Sequence, residues 1–343
     1  MSLIPFIHRV CEAQHLSRAE ALAAMEIILG GNASPAQIAA LLVGLRMKGE
    51  TVEELIGFAH AMRRMAAPVE AGLAGETLLD TCGTGGDGSA TFNVSTIAAF
   101  VVAGAGVRVA KHGNRSISSQ CGSADLLESL GIRLAISPAG SARAIREVGI
   151  GFLFAPAIHP AMRHAQPVRV DLRLRTVFNL LGPLTNPAGA TAQVVGAPTA
   201  AAAELMAGAL AGLGLPRGFV VHGSDGMDEI TTTGPTLAFE VRCGAVERRT
   251  FVPADFGVPV ASERELKGGD QALNREIALE ILGGAPGPRR DIVVANAAAG
   301  LVVSGRVPGF REAAALAAVS IDSGAARRKV DDLARFTASW SGA

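Results

Sequence analysis

Apolar residues recur at three- and four-residue spacing through the first part of the chain, at Leu22/Met25/Leu29, Ile38/Leu41/Leu42/Leu45 and Leu55/Phe58/Ala59/Met62. That is the period of one buried face of a helix. Each run opens on a hydroxyl residue followed three positions later by Glu or Gln: Ser17 with Glu20, Ser34 with Gln37, and Thr51 with Glu54. Such capping boxes satisfy amide groups that a helix start otherwise leaves free, and Pro35 sits where a first-turn proline is tolerated. Gly30-Gly31-Asn32 and Gly49 supply stops. Residues 1–70 therefore predict a small helical domain, whose apolar stripes need either a sheet or a second copy of the chain to pack on.

From about residue 74 the pattern changes to strand alternating with helix. Short β-prone runs at 78–81, 107–110, 151–155, 192–196 and 218–222 are separated by helical runs near 97–107, 124–130, 138–148 and 200–213. Alternation of this kind predicts a parallel sheet covered by helices. Runs 236–242 and 246–252 read as a hairpin, and helices at 275–282, 290–304, 309–322 and 325–336 close the chain. Residues 159–182, between Pro156 and Pro183, read as helix and are expected to return to the helical domain. The expected fold is α/β, with a small N-terminal helical domain (1–70, completed by 159–182) and a large α/β domain (74–343) around a mostly parallel central sheet.

Composition narrows the function. The 343 residues are 49% apolar but only 4% aromatic, so the core must be built from Ala, Val, Leu and Ile, as suits buried parallel strands. Lys and Arg (31) balance Asp and Glu (31), which argues against nucleic acid or an anionic membrane as a partner and makes any basic site local. The longest uncharged stretches, 88–107 and 179–203, are broken by Gly, Pro, Asn or Thr and are poor bilayer spans. The N-terminus lacks a signal-peptide layout. Cys11, Cys82, Cys121 and Cys243 form no CxxC, the usage of a reducing compartment. A cytoplasmic protein is expected, with Cys82 and Cys121 as packing residues.

Three loops carry candidate chemistry. The first, Gly83-Thr84-Gly85-Gly86-Asp87-Gly88, joins the first strand to an Ala-rich helix. Glycines let the backbone turn and approach a ligand, and the helix start behind them offers free N–H groups, with Asn93, Ser95 and Thr96 as caps or extra donors. Phosphate fits such a site, although a Gly-rich turn can also simply cap a helix. The second, Lys111-His112-Gly113-Asn114-Arg115-Ser116-Ile117-Ser118-Ser119, offers two cations, a ring, an amide and three hydroxyls suited to phosphate oxygens. The third, Gly223-Ser224-Asp225-Gly226-Met227-Asp228-Glu229, is acidic. It reads either as a solvated loop or as the carboxylates that would hold a hard cation against a diphosphate. Neither HExxH nor a similar pattern occurs, so zinc is not expected. Loops at the carboxyl ends of neighbouring parallel strands are where open α/β sheets bind ligands.

The strings DTCGTGGDG (80–88), FNVST (92–96), KHGNRSISS (111–119), GSAD (122–125), HPAMR (159–163), PVR (167–169), RTVFNLLGPLTNPA (175–188) and DGMDE (225–229) occur in the order found in the anthranilate phosphoribosyltransferases. The chain resembles that family over most of its length. The resemblance implies a nucleoside phosphorylase/phosphoribosyltransferase-like fold, a homodimer through the helical domain, and magnesium-dependent transfer of the 5-phosphoribosyl group from phosphoribosyl pyrophosphate to the amine of anthranilate, in tryptophan biosynthesis. It implies that Gly83, Gly86, Asp87, Thr91, Asn93, Val94, Ser95, Thr96, the stretch from Lys111 through His112, Gly113, Asn114, Arg115, Ser116, Ile117 and Ser118 to Ser119, and Ser123 line the phosphoribosyl pyrophosphate site. Gly83, Asn114 and Arg169 would face anthranilate. Ser95, Asp228 and Glu229 would hold magnesium, leaving Asp225 to loop structure. His112 reads equally as a packing residue. Val170 departs from relatives that carry a basic residue there. An aromatic amine is already neutral at pH 7, so neither a covalent intermediate nor a nucleophilic side chain is expected. The burden falls on the leaving group and on alignment of the two substrates. Two other readings are a pyrimidine nucleoside phosphorylase and a non-catalytic nucleic-acid-binding relative, the latter disfavoured by the intact Gly and acidic motifs and the balanced charge.

Overall fold

The structure is a computed structural model that describes residues 2–73, 75–116 and 120–342. The described residues open with four helices, α1 (Ile4–Cys11), α2 (Arg18–Leu29), α3 (Pro35–Lys48) and α4 (Val52–Met65). All three predicted capping boxes are formed, at Ser17, Ser34 and Thr51. Glu54 also does more than cap. Fully buried, it accepts the Leu16 N–H at 2.8 Å and pairs with Lys48 Nζ at 3.0 Å, tying the start of α4 to the end of α3.

A sheet then alternates with helices: β1 (Leu78–Asp80), α5 (Val94–Gly104), β2 (Arg108–Gly113), α6 (Ser123–Ser129), α7 (Pro138–Glu147), β3 (Ile150–Phe154) and α8 (Ala155–Ile158). After α9 (Gln166–Leu172) and α10 (Val177–Leu181) the chain returns with β4 (Ala192–Gly196), α11 (Ala200–Gly212), β5 (Arg217–Gly223) and the hairpin β6 (Thr236–Arg242) and β7 (Ala245–Phe251). Helices α12 (Gln271–Leu282), α13 (Pro288–Val303), α14 (Phe310–Asp322) and α15 (Ala325–Ser339) follow. The strand order is β3-β2-β1-β4-β5-β6-β7, parallel from β3 to β5 and antiparallel at the hairpin. From β1 the chain winds outward to β2 and β3, then restarts on the other side with β4. The switch point between β1 and β4 is where such sheets open a ligand crevice.

Alternate side chains of the strands face opposite layers. Leu79, Val109, Ile150, Val194 and Phe219 join the core made with α5 and α12 to α15. Val195, Val220 and Phe239 point the other way, into a core shared by α11 and the N-terminal helices. Residues from the 159–182 stretch, Ala165, Val168, Val177, Phe178 and Leu181, join that second core.

Residues 159–182 are helical in three pieces: a 3-10 turn at Pro160–His164 precedes α9, and Arg173, in the left-handed region at φ 49°, closes α9 before α10 begins. One sequence expectation needs correction. The second strand runs further than the hydrophobic run did. Lys111, His112 and Gly113 belong to β2, paired with Phe152, Leu153 and Phe154, rather than to the loop. Polar residues hide a strand end when their side chains find buried partners, as both Lys111 and His112 do here.

Candidate active site

The loops that follow β1, β4 and β5 converge at the switch point. Gly85, Gly86 and Gly88 all have positive φ (65°, 71° and 77°), a turn that other residues make only under strain. The Gly85 N–H donates to Asp228 Oδ2 at 2.8 Å, and the Thr84 N–H donates to the Gly196 carbonyl at 3.0 Å. Contact is close enough that side chains are excluded. A Cβ on Gly83 would lie 2.8 Å from Asp228 Oδ2, and one on Gly196 would lie 1.7 Å from the Asp228 carbonyl oxygen.

The acidic loop is held from three sides. Glu229 Oε1 accepts the Ser95 N–H in the first turn of α5 at 3.1 Å, and the Asp228 N–H donates to Asp87 Oδ2 at 3.3 Å. From α13, Asn296 accepts the Ile230 N–H at 3.0 Å and donates to the Ile230 carbonyl at 2.9 Å. Asp225 accepts from Met227 N–H, Thr231 Oγ1 and Thr233 Oγ1, and so serves loop structure.

Burial, and then the nearby Asp87 carboxylate, raises the Asp228 pKa above the usual range; burial and then Asp228 do the same for Glu229. Such crowding favours a counter-cation. Asp228 and Glu229 each give one oxygen to a backbone N–H. Among the described residues no group of three or more His, Cys, Asp or Glu side chains is close enough to enclose a metal. The two buried, crowded carboxylates are a donor set for a hard cation that takes one or two carboxylates and completes its shell with phosphate oxygens and water.

Asn93 occupies the N-cap of α5 without capping it. Its side chain instead donates to the Cys121 carbonyl at 3.1 Å and accepts from Asn274 at 3.2 Å, which joins the first loop to the region after the second. Lys111 and His112, successive in β2, point to opposite sides. Lys111 is 3% exposed, and its Nζ donates to the Thr81 carbonyl at 2.8 Å. The His112 N–H donates to Asp80 Oδ1 at 3.1 Å, while its Nδ1 lies 3.1 Å from the Gly182 carbonyl and its ring centroid 5.2 Å from that of His159. Burial pushes His112 down to about 4 and His159 down to about 3, so both rings are neutral at physiological pH. Burial raises Asp80 to about 6, opposed by the Asn186 amide at 2.8 Å.

The rest of the second loop leans on α6. The Asn114 carbonyl accepts Ser123 Oγ at 3.2 Å, its Oδ1 accepts the Arg115 N–H at 2.8 Å, and the Ser116 N–H donates to Asp125 at 3.3 Å. Arg115 forks to Asp125 at 2.8 Å and Glu128 at 2.9 Å. Both cations of this stretch are thus engaged by protein groups. A Cβ on Gly113 would lie 2.4 Å from Ser123 Oγ and 2.7 Å from the Phe152 ring, so a side chain there would force its neighbours to shift. Ile117, Ser118 and Ser119 lie outside the described residues. Thr91 bridges to Lys267, whose Nζ donates to the Ser89 carbonyl at 2.9 Å. On α9, Arg169 is half-buried, its Cζ 5.3 Å over the Phe178 ring and its Nη1 3.3 Å from Gln166 Oε1. Val170 beside it is exposed.

Residues 75–327 match the family model described as "Glycosyl transferase family, a/b domain", and residues 4–66 match "Glycosyl transferase family, helical bundle domain". The chain is 70% identical to the anthranilate phosphoribosyltransferase of Solibacter usitatus over 339 residues, 99% of this chain and 100% of that protein. The chain belongs to the anthranilate phosphoribosyltransferases. The crystal structure of the Thermus thermophilus family member superposes with a TM-score of 0.92 at 43% identity, covering 97% of this chain and 99% of that one. The Saccharomyces cerevisiae family member, solved in complex with phosphoribosyl pyrophosphate and Mg, matches at a TM-score of 0.90 and 26% identity over 98% of each chain.

Several side chains that shape this anthranilate phosphoribosyltransferase site carried no signal of their own in the sequence. Asn296 sits inside an apolar helix, and Asn274 and Lys267 lie in a stretch without a motif. Asp80 and Asn186 stood inside quoted strings, yet nothing in the strings indicated that they bond to one another. Arg175 headed a quoted string without a role of its own; its Nη1 donates to the carbonyls of Gly85 at 2.8 Å and Gly86 at 2.7 Å.

Proposed function

We infer that this chain transfers the 5-phosphoribosyl group of phosphoribosyl pyrophosphate to the amine of anthranilate, releasing pyrophosphate. The observation that carries the reading is the junction of the Gly83–Gly88 loop with Asp228 and Glu229 at the sheet's switch point, in a chain 70% identical to a curated member of the family. A glycine-rich backbone facing raised, crowded carboxylates suits a diphosphate carried with a cation.

In this reading Asp228, Glu229 and Ser95 hold magnesium, which supplies positive charge to the departing diphosphate. The first loop (Gly83, Gly86, Asp87, Thr91, Asn93 to Thr96), residues 111–119 and Ser123 line the phosphoribosyl pyrophosphate site. Lys111 then contributes by fixing the Thr81 end of the first loop and by its charge. Asn114, Arg169 and Gly83 take the acceptor, with Arg169 reaching the ortho carboxylate through the part of its fork that Gln166 leaves free. No base is required, because the attacking amine is neutral, and positioning the two substrates supplies much of the rate. The neutral His112 and His159 rings suit that environment by adding no competing charge.

The helical domain, proposed as 1–70 completed by 159–182, presents Ile4, Met47, Val170 and Leu174 to solvent, Met47 at 82% exposure. A homodimer through this layer would cover them, and sedimentation at twice the 35.0 kDa chain mass is expected. We place the enzyme in the cytoplasm, in tryptophan biosynthesis; Cys11, Cys82 and Cys243 are unbridged, and no helix among the described residues is long and apolar enough to cross a membrane. The deciding assay mixes the protein with anthranilate, phosphoribosyl pyrophosphate and magnesium and follows the fluorescence change as the phosphoribosylated product forms. No turnover there, with phosphorolysis of thymidine instead, would establish the nucleoside phosphorylase reading.

A further inference from the structure

Arg175 stands on the stretch between α9 and α10, and the chemistry above does not use it. Its Nη1 holds two successive carbonyls of the glycine loop, those of Gly85 and Gly86. Behind it, Arg46 in the last turn of α3 donates to the Arg175 carbonyl, so the side chain is anchored from its own backbone outward. Nη2 is buried and has no hydrogen-bond partner among the described residues. A buried guanidinium nitrogen without an acceptor is costly, and such a group at a ligand site marks the place where a ligand atom completes the bonding.

What the ligand atom belongs to follows from the surroundings. The two carbonyls that Nη1 holds lie in the diphosphate-type loop, and the same Gly85 donates its N–H to Asp228. Asp87 and Asp228 both act on the Arg175 charge. An acceptor arriving here meets a planar cation whose other nitrogen is already fixed to the loop backbone, an arrangement matched to a phosphate oxygen. We propose that Arg175 is a diphosphate-binding residue: Nη1 fastens the 83–88 loop while Nη2 donates to an oxygen of the diphosphate, so that loop shape and ligand binding are set by one side chain. Lysine cannot perform both tasks, because it presents a single compact charge where the guanidinium presents separate nitrogens. This inference rests on the transferase reading, and the experiment separates the two.

Inorganic pyrophosphate with magnesium is titrated calorimetrically into the full-length protein and into Arg175→Ala and Arg175→Lys, and steady-state constants are measured for both substrates. Both variants are expected to bind magnesium pyrophosphate at least tenfold more weakly. KM for phosphoribosyl pyrophosphate should rise in parallel and KM for anthranilate stay within twofold. Millimolar guanidinium should partly restore binding to Arg175→Ala. If Arg175→Ala does not fold, Arg175→Lys carries the same comparison. Failure of the unaltered protein to bind magnesium pyrophosphate would sink the transferase reading itself. Normal binding there, with variants within twofold of it or with a loss confined to thermal stability or to anthranilate KM, would overturn the role given to Arg175 and leave the transferase reading intact.

Discussion

Gly196→Ala adds one methyl group at the end of β4, and the structure leaves no room for it. Gly196 has no positive φ, so the backbone conformation itself accepts alanine. Space is the obstacle. The new Cβ would lie 1.7 Å from the Asp228 carbonyl oxygen, 2.6 Å from its carbon and 3.1 Å from its Cβ. The two nearest, the carbonyl oxygen and carbon, are backbone and cannot rotate away, so Asp228 must retreat by about 1.3 Å merely to reach the 3.0 Å that real contacts almost never breach. Movement of that size carries the carboxylate off the Gly85 N–H and drags Glu229 from Ser95. A misplacement of about 1 Å at a reacting centre costs on the order of 100-fold in rate, and overpacking costs about 1–3 kcal/mol of stability. The fluorescence assay should therefore show kcat/KM lowered about 100-fold or more, with a Tm lower by several degrees in a protein that still folds. Gly309→Ala, where an added Cβ meets nothing within 4 Å, is the control and should stay within twofold. Turnover of Gly196→Ala within threefold of the parent would refute the claim that the contact between β4 and the acidic loop sets the site.

Replacing both Asp228 and Glu229 by Ala should remove most magnesium-dependent turnover while leaving anthranilate binding intact; near-normal activity would make the acidic loop a solvated one. Arg169→Ala should raise KM for anthranilate about tenfold or more, the effect of losing a charged hydrogen bond of about 1.5–3 kcal/mol, with little change for phosphoribosyl pyrophosphate. The opposite pattern would show that the two substrates are divided wrongly. His159 has a folded pKa of about 3 against an ordinary value near 6.5, so it favours the folded state above pH 6.5 and that contribution is lost as pH falls toward 3. Between pH 6.5 and 5 the loss is about 2 kcal/mol, taking about 1.4 kcal/mol per pH unit. Urea unfolding of His159→Gln should accordingly show a shallower acid decline than the parent, and identical declines would count against a buried neutral ring. Asp80, whose raised pKa works in the opposite direction, is common to both proteins and cancels in the comparison.

The sequence by itself determined the local structure of this protein. Capping boxes at Ser17, Ser34 and Thr51, the apolar run of α5 and the glycines at 83–88 act over a few residues, where helix-end hydrogen bonding and backbone sterics decide the outcome. The motif strings carried the family for the same reason, since each is a contiguous loop whose chemistry is written in order. Tertiary structure alone decided which loop touches which. Asp228 meets Gly85 across 143 positions of sequence, and Asn186 meets Asp80 across 106. It also decided which charges remain open to a ligand. Lys111 and Arg115 looked like free cations in the sequence, but the folded chain engages both with protein partners. Arg175 carried no role of its own in the sequence, but the turn after α9 brings it onto the glycine loop. Ionic and hydrogen-bonding roles depend on which partner arrives within about 3 Å, and long-range packing of the sheet against the helical layer sets that distance.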